Sequence, residues 1–138
     1  MQDTELYQAL LGLKDPWYVR AVELDASGER VDVWIEERSG RKWACPECGA
    51  EGGVYDHSAE RVWRHLDTCE FGTYLHARLP RMTCPSHGVK QVRAPWAEPG
   101  SRFTLLFENR LIDILKECVV KGVGRLASLS WDEGLGVL

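Results

Sequence analysis

Two pentapeptides of the chain share one formula: CPECG at residues 45–49 and CPSHG at residues 84–88 both read Cys-Pro-x-[Cys or His]-Gly. Two soft ligands three positions apart bind one ion from a tight turn, and a tetrahedral zinc ion needs two such pairs. The proline presets φ in the turn, and the final glycine can adopt the positive φ that directs backbone N–H groups toward the metal-bound atoms. The sequence therefore predicts one zinc ion held by a first knuckle (45–49) and a second knuckle (84–88).

The predicted zinc ligands are Cys45, Cys48, Cys84 and His87. Four protein ligands leave no open position for water, so we expect a structural ion and not a hydrolytic one. The metal should contribute directly to folding, because a small β unit has little core of its own. An odd number of cysteines argues against a disulfide framework. A redox pair is disfavoured because a glycine-rich loop, and not a helix, follows the first knuckle.

The remaining cysteines and histidines are interpreted as side chains that bind no metal. Cys69 falls in a polar turn and is interpreted as an unliganded thiol, and Cys118 on a helical stripe as a small core residue. The three other histidines are interpreted as ordinary strand or loop residues and are the alternatives for the fourth ligand: His57, His65 and His76.

Hydrophobic periodicity predicts a helix and four strands before the second knuckle. Leucines at helical spacing predict a short helix over residues 4–13. Residues 17–24 and 31–36 alternate with period two and predict a β-hairpin. Residues 60–66 and 73–79 alternate in part and predict two antiparallel strands, the second of which leads into the second knuckle.

The composition is that of a globular protein, with 44% hydrophobic and 28% charged residues in 138. This length excludes large catalytic folds such as an α/β barrel. No stretch approaches about 18 uninterrupted apolar residues, so no membrane span is predicted. The acidic N-terminus has no apolar signal core behind it, so we expect a reducing cytoplasm.

The charges are unevenly distributed around a formal net charge of −4. Residues 1–60 contain 6 basic and 13 acidic side chains, whereas residues 61–138 contain 11 basic and 8 acidic ones. An asymmetry of this kind permits one anion-binding surface on an acidic protein. The alternative is a solvated basic face that binds nothing.

The period changes to that of a helix beyond a breaker-rich link at residues 94–100. Apolar residues from 103 to 118 trace one helix face, with Thr104 as the predicted N-cap. Further helices are predicted over about 120–128 and from the capping-box pattern that begins at Ser130. This order of helices is that of a helix-turn-helix, although many three-helix units bind no DNA.

Several strings of the sequence resemble one known group of proteins. In chain order they are the first knuckle, Trp63-Arg64-His65-Leu66-Asp67, the second knuckle, Arg102-Phe103-Thr104 and Ser130-Trp131-Asp132. Together they resemble the N-terminal part of bacterial insertion-sequence transposases of the ISL-three group, over roughly residues 40–138. That family usually has cysteine where this chain has His87, and imidazole is a normal zinc ligand.

The resemblance implies that the zinc module and the helices bind the terminal inverted repeats of the element, so double-stranded DNA is the expected partner. In that family a separate RNase-H-like domain cleaves and joins strands; it is not expected within these 138 residues, so no enzymatic activity is expected. Residues 131–138 contain no lysine or arginine, so basic strand residues should supply most of the affinity. The candidate DNA contacts are Arg61, Arg64, His65, Arg78, Arg81, Lys90 and Arg93.

The expected fold is small α+β in three segments. Residues 1–40 are expected to form a helix and a β-hairpin, residues 41–93 a zinc-ribbon-like antiparallel sheet, and residues 101–138 a truncated helical unit of helix-turn-helix type. Besides DNA, a second copy of the chain and a full-length transposase are candidate partners, in the bacterial cytoplasm. The alternative function is a structural or protein-interaction zinc module without DNA affinity, such as a transposase remnant.

Overall fold

The computed structural model describes residues 3–117. In this part of the chain the elements are α1 (Asp3–Leu11), β1 (Trp17–Asp25), β2 (Arg30–Glu37), β3 (Trp43–Ala44), β4 (Glu51–Gly52), β5 (Val54–His57), β6 (Arg61–Thr68), β7 (Phe71–Ala77), β8 (Pro80–Cys84), β9 (Gly88–Gln91) and α2 (Leu105–Glu117). The α+β class is confirmed. Neither described helix is long and apolar enough to cross a membrane. Cys118 and the two helices predicted after α2 lie outside the described residues.

A four-stranded sheet in the order β1-β2-β7-β6 forms the centre of the described structure. The pairs β1–β2 and β6–β7 are antiparallel, as the alternating runs predicted. Strands β2 and β7 run parallel, so the N-terminal hairpin and the strands between the knuckles share one sheet. This order places the acidic hairpin strand β1 at one edge and β6, which carries Arg61 and Arg64, at the opposite edge.

Two smaller sheets carry the knuckles. Strands β3 and β4 flank the first knuckle, and the sheet β5-β8-β9 contains the second knuckle between β8 and β9. Strand β4 passes so close to β8 that a Cβ added at Gly52 would lie 1.9 Å from the carbonyl oxygen of Thr83. Glycine at position 52 therefore lets the two knuckle sheets approach each other.

The core contains a chain of four tryptophan rings. The ring of Trp17 lies 5.3 Å from that of Trp43 and 5.1 Å from that of Trp96, and Trp96 lies 5.3 Å from Trp63, all between centroids. The tilted and edge-to-face geometries are those that aromatic quadrupoles favour. Because Trp96 belongs to the link at residues 94–100, that link is part of the core.

The segment that directly precedes α2 is hydrogen-bonded to the outer edge of β6. The N–H of Arg64 donates to the carbonyl of Arg102, and the N–H of Thr104 donates to the carbonyl of Arg64, both at 2.9 Å. The predicted N-cap is confirmed, because the N–H of Phe107 donates to Thr104 Oγ1 at 3.3 Å. The apolar face of α2 then packs against Leu66 of β6.

Candidate metal centre and cationic groove

The first knuckle is a hydrogen-bonded turn between β3 and β4. The N–H of Cys45 donates to the carbonyl of Ala50 at 2.9 Å, and the N–H of Gly49 donates to the carbonyl of Cys45 at 2.8 Å. Gly49 has a φ of 77°, the positive value predicted for the glycine that follows the second ligand. The N–H of Glu47 lies 3.5 Å from Cys45 Sγ, so the backbone of the turn also donates a hydrogen bond to this sulfur.

The second knuckle repeats this geometry between β8 and β9. Gly88 has a φ of 73°. Burial raises the pKa of the Cys84 thiol, but hydrogen bonds from the backbone N–H groups of Ser86 and His87 and from neighbouring thiols outweigh it, and the net pKa lies below its ordinary value. The turn therefore favours the thiolate, the form that binds zinc.

The two knuckles bring four ligand atoms together. The sulfurs of Cys48 and Cys84 lie 3.5 Å apart, and His87 Nδ1 lies 3.8 Å from Cys45 Sγ and 3.6 Å from Cys84 Sγ. All four atoms lie within 4.8 Å of one another. Zinc bonds of about 2.3 Å to sulfur and 2.0–2.1 Å to nitrogen at tetrahedral angles place sulfurs about 3.8 Å apart and sulfur and nitrogen about 3.6 Å apart. The donor set therefore fits one four-coordinate zinc ion.

An acidic residue orients the imidazole ligand from outside the cluster. Glu47 Oε2 lies 3.4 Å from His87 Nε2, so Nδ1 is the nitrogen left for the metal. The other carboxylate oxygen of Glu47 lies 3.2 Å from the ammonium of Lys90. Carboxylates in this position fix the tautomer of a metal-bound histidine and increase its basicity.

The other described cysteine and histidines lie away from the cluster. Cys69 is exposed in the β6–β7 turn. His57 contacts Glu37 in an exposed pair. His65 and His76 are both buried, the former under the start of α2 and the latter on β7. None of the three replaces His87 in the structure.

Three of the predicted cationic residues line one groove, with a volume of about 300 Å³, between the first knuckle, β6 and the 94–100 link. Arg61 donates to the carbonyl of Ser101 at 3.1 Å, and its guanidinium lies over the Trp63 ring at 4.7 Å. Lys90 and Arg93 complete the set. The groove also has acidic lining residues, namely Glu47 and Glu98.

The other predicted basic residues do not join this groove. Arg78 lies on a different face, where its Nε donates to the carbonyl of Ser58 at 3.1 Å. Arg81 forms a bidentate ion pair with Asp56 on the β5-β8-β9 sheet, and this guanidinium lowers the pKa of the Asp56 carboxyl.

Arg64 and His65 instead connect β6 to α2. Arg64 Nη2 lies 2.7 Å from Asp67 Oδ1, and its guanidinium lies 5.1 Å from the centre of the Phe107 ring. Its side chain is only 10% exposed. His65 Nδ1 lies 2.7 Å from Thr104 Oγ1, and this residue is 9% exposed.

Together, the fold and the site define a zinc-ribbon module with one structural zinc ion. Residues 41–87 match the family described as the zinc-finger of transposase IS204/IS1001/IS1096/IS1165. The relationship to insertion-sequence transposases of this group, which the sequence strings indicated, is thereby confirmed.

Two curated relatives extend the similarity to almost the whole chain. Both are named transposase for insertion sequence element IS1557, one from Mycobacterium tuberculosis strain CDC 1551 / Oshkosh and one from strain ATCC 25618 / H37Rv. Each is 30% identical over 136 residues, which is 95% of this chain and 31% of the relative. The chain thus spans about a third of the length of these relatives. No solved structure is significantly similar to the chain.

Proposed function

We propose that this chain binds double-stranded DNA as the end-recognition part of an insertion-sequence transposase. The observation that carries the proposal is the similarity to transposases along 95% of the chain, which includes the zinc ribbon. A module of this size has to supply a cationic surface if it is to bind a polyanion. The groove beside the first knuckle is the surface that we assign to this role.

The groove presents its cations from three separate elements. Arg61 comes from the start of β6, Lys90 from β9 and Arg93 from the segment that follows β9. The contacts of Arg61 with Ser101 and the Trp63 ring hold its guanidinium in one place, which reduces the entropy lost on binding a phosphate. Contacts of this type fix the position of a protein on the duplex, whereas base-edge contacts give sequence preference.

The order of the strands in the central sheet also supports binding of DNA at the groove. Strand β1 of the acidic N-terminal half lies at the edge opposite β6, so this strand would point away from DNA bound at the groove. Arg64 and His65 are left out of the proposed interface, because both are largely buried against α2. Arg78 and Arg81 lie on other faces, so they are at most peripheral contacts.

We infer a structural and not a catalytic role for the zinc site. The thiolate-rich zinc site is the one group of three or more metal-binding side chains found in residues 3–117, and protein takes all four of its positions. A site with four protein ligands has no position for a substrate or a reacting water, so we assign this ion a structural role only.

The test is the affinity for DNA over a salt series. A fluorescein-labelled 30-bp duplex of mixed sequence measures general binding, and selection from duplexes with a randomised core identifies a preferred site. The slope of log K against log salt should be steep and should fall by about one unit in Arg93→Ala and in Arg61→Gln. Arg20→Ala is the matched control, because Arg20 pairs with Glu36 at the opposite side of the sheet.

Two outcomes would contradict the proposal. A zinc module without DNA affinity would show no salt-dependent binding to any duplex, although it would be folded and zinc-loaded. Equal loss of affinity in Arg20→Ala and Arg93→Ala would show that binding depends on overall charge and not on the groove.

A further inference from the structure

We propose a second metal site in this chain, at which His76 Nδ1 and the Glu60 carboxylate bind a divalent transition-metal ion. The site lies at a cavity of about 410 Å³ that is lined by residues of β1, β2, β5 and β7 and by Glu60, which directly precedes β6. It contains no sulfur ligand and is separate from the zinc ribbon. The inference is independent of DNA binding.

The first observation is the way in which the His76 ring is held. Its Nε2 lies 2.6 Å from Asp32 Oδ1, and Arg30 Nε lies 3.0 Å and 2.9 Å from the two oxygens of the same carboxylate. Burial raises the pKa of Asp32, but the hydrogen bonds from Arg30 and His76 outweigh it, and the net pKa lies below its ordinary value. Asp32 is therefore ionised and accepts the Nε2 proton, so the neutral form of this ring carries its lone pair on Nδ1.

The second observation is that this lone pair has no hydrogen-bond partner. His76 is 9% exposed, and its Nδ1 is buried without a hydrogen bond. The Trp34 ring stacks on the imidazole at 4.7 Å with an interplanar angle of 15°, so the ring cannot turn freely toward another partner. Buried polar atoms are almost always satisfied, so an orphaned nitrogen on a rigidly held ring indicates a missing ligand.

The third observation is the position of Glu60. Its Oε2 lies 3.7 Å from His76 Nδ1, which is too long for a hydrogen bond. Two metal bonds of about 2.1 Å that meet at an angle of about 125° would span this distance. A histidine whose other nitrogen donates to a carboxylate is also the usual form of a metal-binding imidazole. The structure thus supplies two ligands, His76 and Glu60, and the carboxylate of Asp32 that holds the histidine in place.

The same cavity can complete the coordination shell. His57 and Glu37 both line it and contact each other. His57 is 40% exposed, so its side chain can move toward the ion, and water can take the remaining positions. Imidazole and carboxylate together suit Zn²⁺, Co²⁺, Ni²⁺ or Cu²⁺ better than Mg²⁺ or Ca²⁺.

The test is the number of metal ions bound by tag-free protein. Zn²⁺ is titrated calorimetrically into protein that already carries one equivalent in the ribbon, and Co²⁺ is titrated with an optical readout. We expect a second equivalent that adds cobalt d–d absorption without adding a sulfur-to-cobalt charge-transfer band. Glu60→Gln and His76→Gln should abolish this equivalent, and Asp32→Asn should weaken it about tenfold.

The controls separate the site from folding and from surface binding. Glu60 is half exposed, so Glu60→Gln should keep the circular dichroism spectrum of the parent even if His76→Gln does not. Glu23→Gln removes an exposed carboxylate elsewhere and should leave the second equivalent unchanged. A stoichiometry that stays at one, or a second equivalent that survives Glu60→Gln in a folded protein, would overturn the proposal. Neither result depends on whether the chain binds DNA.

Discussion

The imidazole of His65 and the hydroxyl of Thr104 lie 2.7 Å apart where β6 meets α2. The same hydroxyl oxygen accepts the N–H of Phe107 and so caps the helix. Because that oxygen is already an acceptor, its own proton is free to bond to His65 Nδ1 if the ring is neutral. Burial lowers the pKa of His65 to about 4, which keeps the ring neutral near pH 7.

This arrangement predicts a pH dependence of stability. The ordinary pKa of histidine is 6.5, so between pH 6.5 and about 4 the unfolded chain binds a proton at His65 that the folded chain does not. The free energy of unfolding should therefore fall as the pH falls through this window, by roughly 3 kcal/mol in total. Urea unfolding of zinc-loaded protein at pH 7, 6 and 5 measures the upper part of this loss.

The His65→Gln variant isolates this contribution. Acid also weakens zinc binding, because protons compete with zinc for the thiolates and the imidazole. The slope of the free energy of unfolding against pH therefore has two sources in the parent protein. The difference in slope between the parent and His65→Gln belongs to this histidine alone. Parallel pH profiles for the two proteins would contradict the prediction, because they would mean that folding leaves the pKa of His65 unchanged.

A second prediction concerns the zinc ligands. Cys45→Ser should lose the stoichiometric zinc and the cooperative unfolding transition, because structural zinc contributes about 10–16 kcal/mol in small domains and total stability is of similar size. His87→Cys should keep the ion, since four thiolates form a regular zinc site. Elemental analysis measures the bound zinc of each variant, and thermal melting measures its unfolding transition. Cys69→Ser is the control, and zinc loss in that variant would contradict the assigned ligand set.

A third prediction uses two neighbouring glycines. An added Cβ at Gly52 would lie 1.9 Å from the carbonyl oxygen of Thr83, whereas one at Gly53 would meet nothing within 4 Å. Gly52→Ala should therefore lower the free energy of unfolding by about 3 kcal/mol, because the backbones of β4 and β8 must separate. Gly53→Ala should change it little. Chemical denaturation compares the two, and equal effects would mean that β4 does not approach β8 closely.

A fourth prediction concerns the acidic rim of the groove. Glu98 lines the groove together with Arg61 and Arg93, so its charge opposes a bound phosphate. Glu98→Gln should tighten binding to mixed-sequence duplex about twofold at low salt, the size expected for one exposed charge several ångströms away. Fluorescence anisotropy measures this change. Glu23→Gln on β1 should have no comparable effect, and an equal gain there would remove the groove from the interface.

Local sequence spacing predicted the parts of this structure that depend on near neighbours. Each knuckle is a turn of five residues, so its two ligands and the positive φ of Gly49 and Gly88 follow from the sequence of that turn. The hairpin of β1 and β2 and the N-cap at Thr104 are similarly local. The parallel pairing of β2 with β7 joins residues about 40 positions apart, and alternation within a strand carries no information about such a partner.

The seven basic residues predicted to contact DNA lie on more than one face of the protein, and strand geometry explains this for those of β6. Side chains alternate along a strand, so Arg61 and Arg64 point to opposite faces of β6. Arg64 accordingly turns toward Phe107 of α2, while Arg61 shares its face with Trp63. The same parity places His65 on the face of the buried Trp63, a signal that could have identified this histidine as a core residue.

The chain of four tryptophan rings has a consequence for the cooperativity of unfolding. Trp43 is two residues from the zinc ligand Cys45, and Trp63 lies on β6, the strand that anchors α2. The rings of Trp17 and Trp96 connect these two ends. Loss of the ion should disturb ring packing at one end of this chain of rings and thereby loosen the support of the helix at the other. Near-ultraviolet circular dichroism, which is sensitive to coupled indoles, should therefore record metal release and helix undocking as one transition.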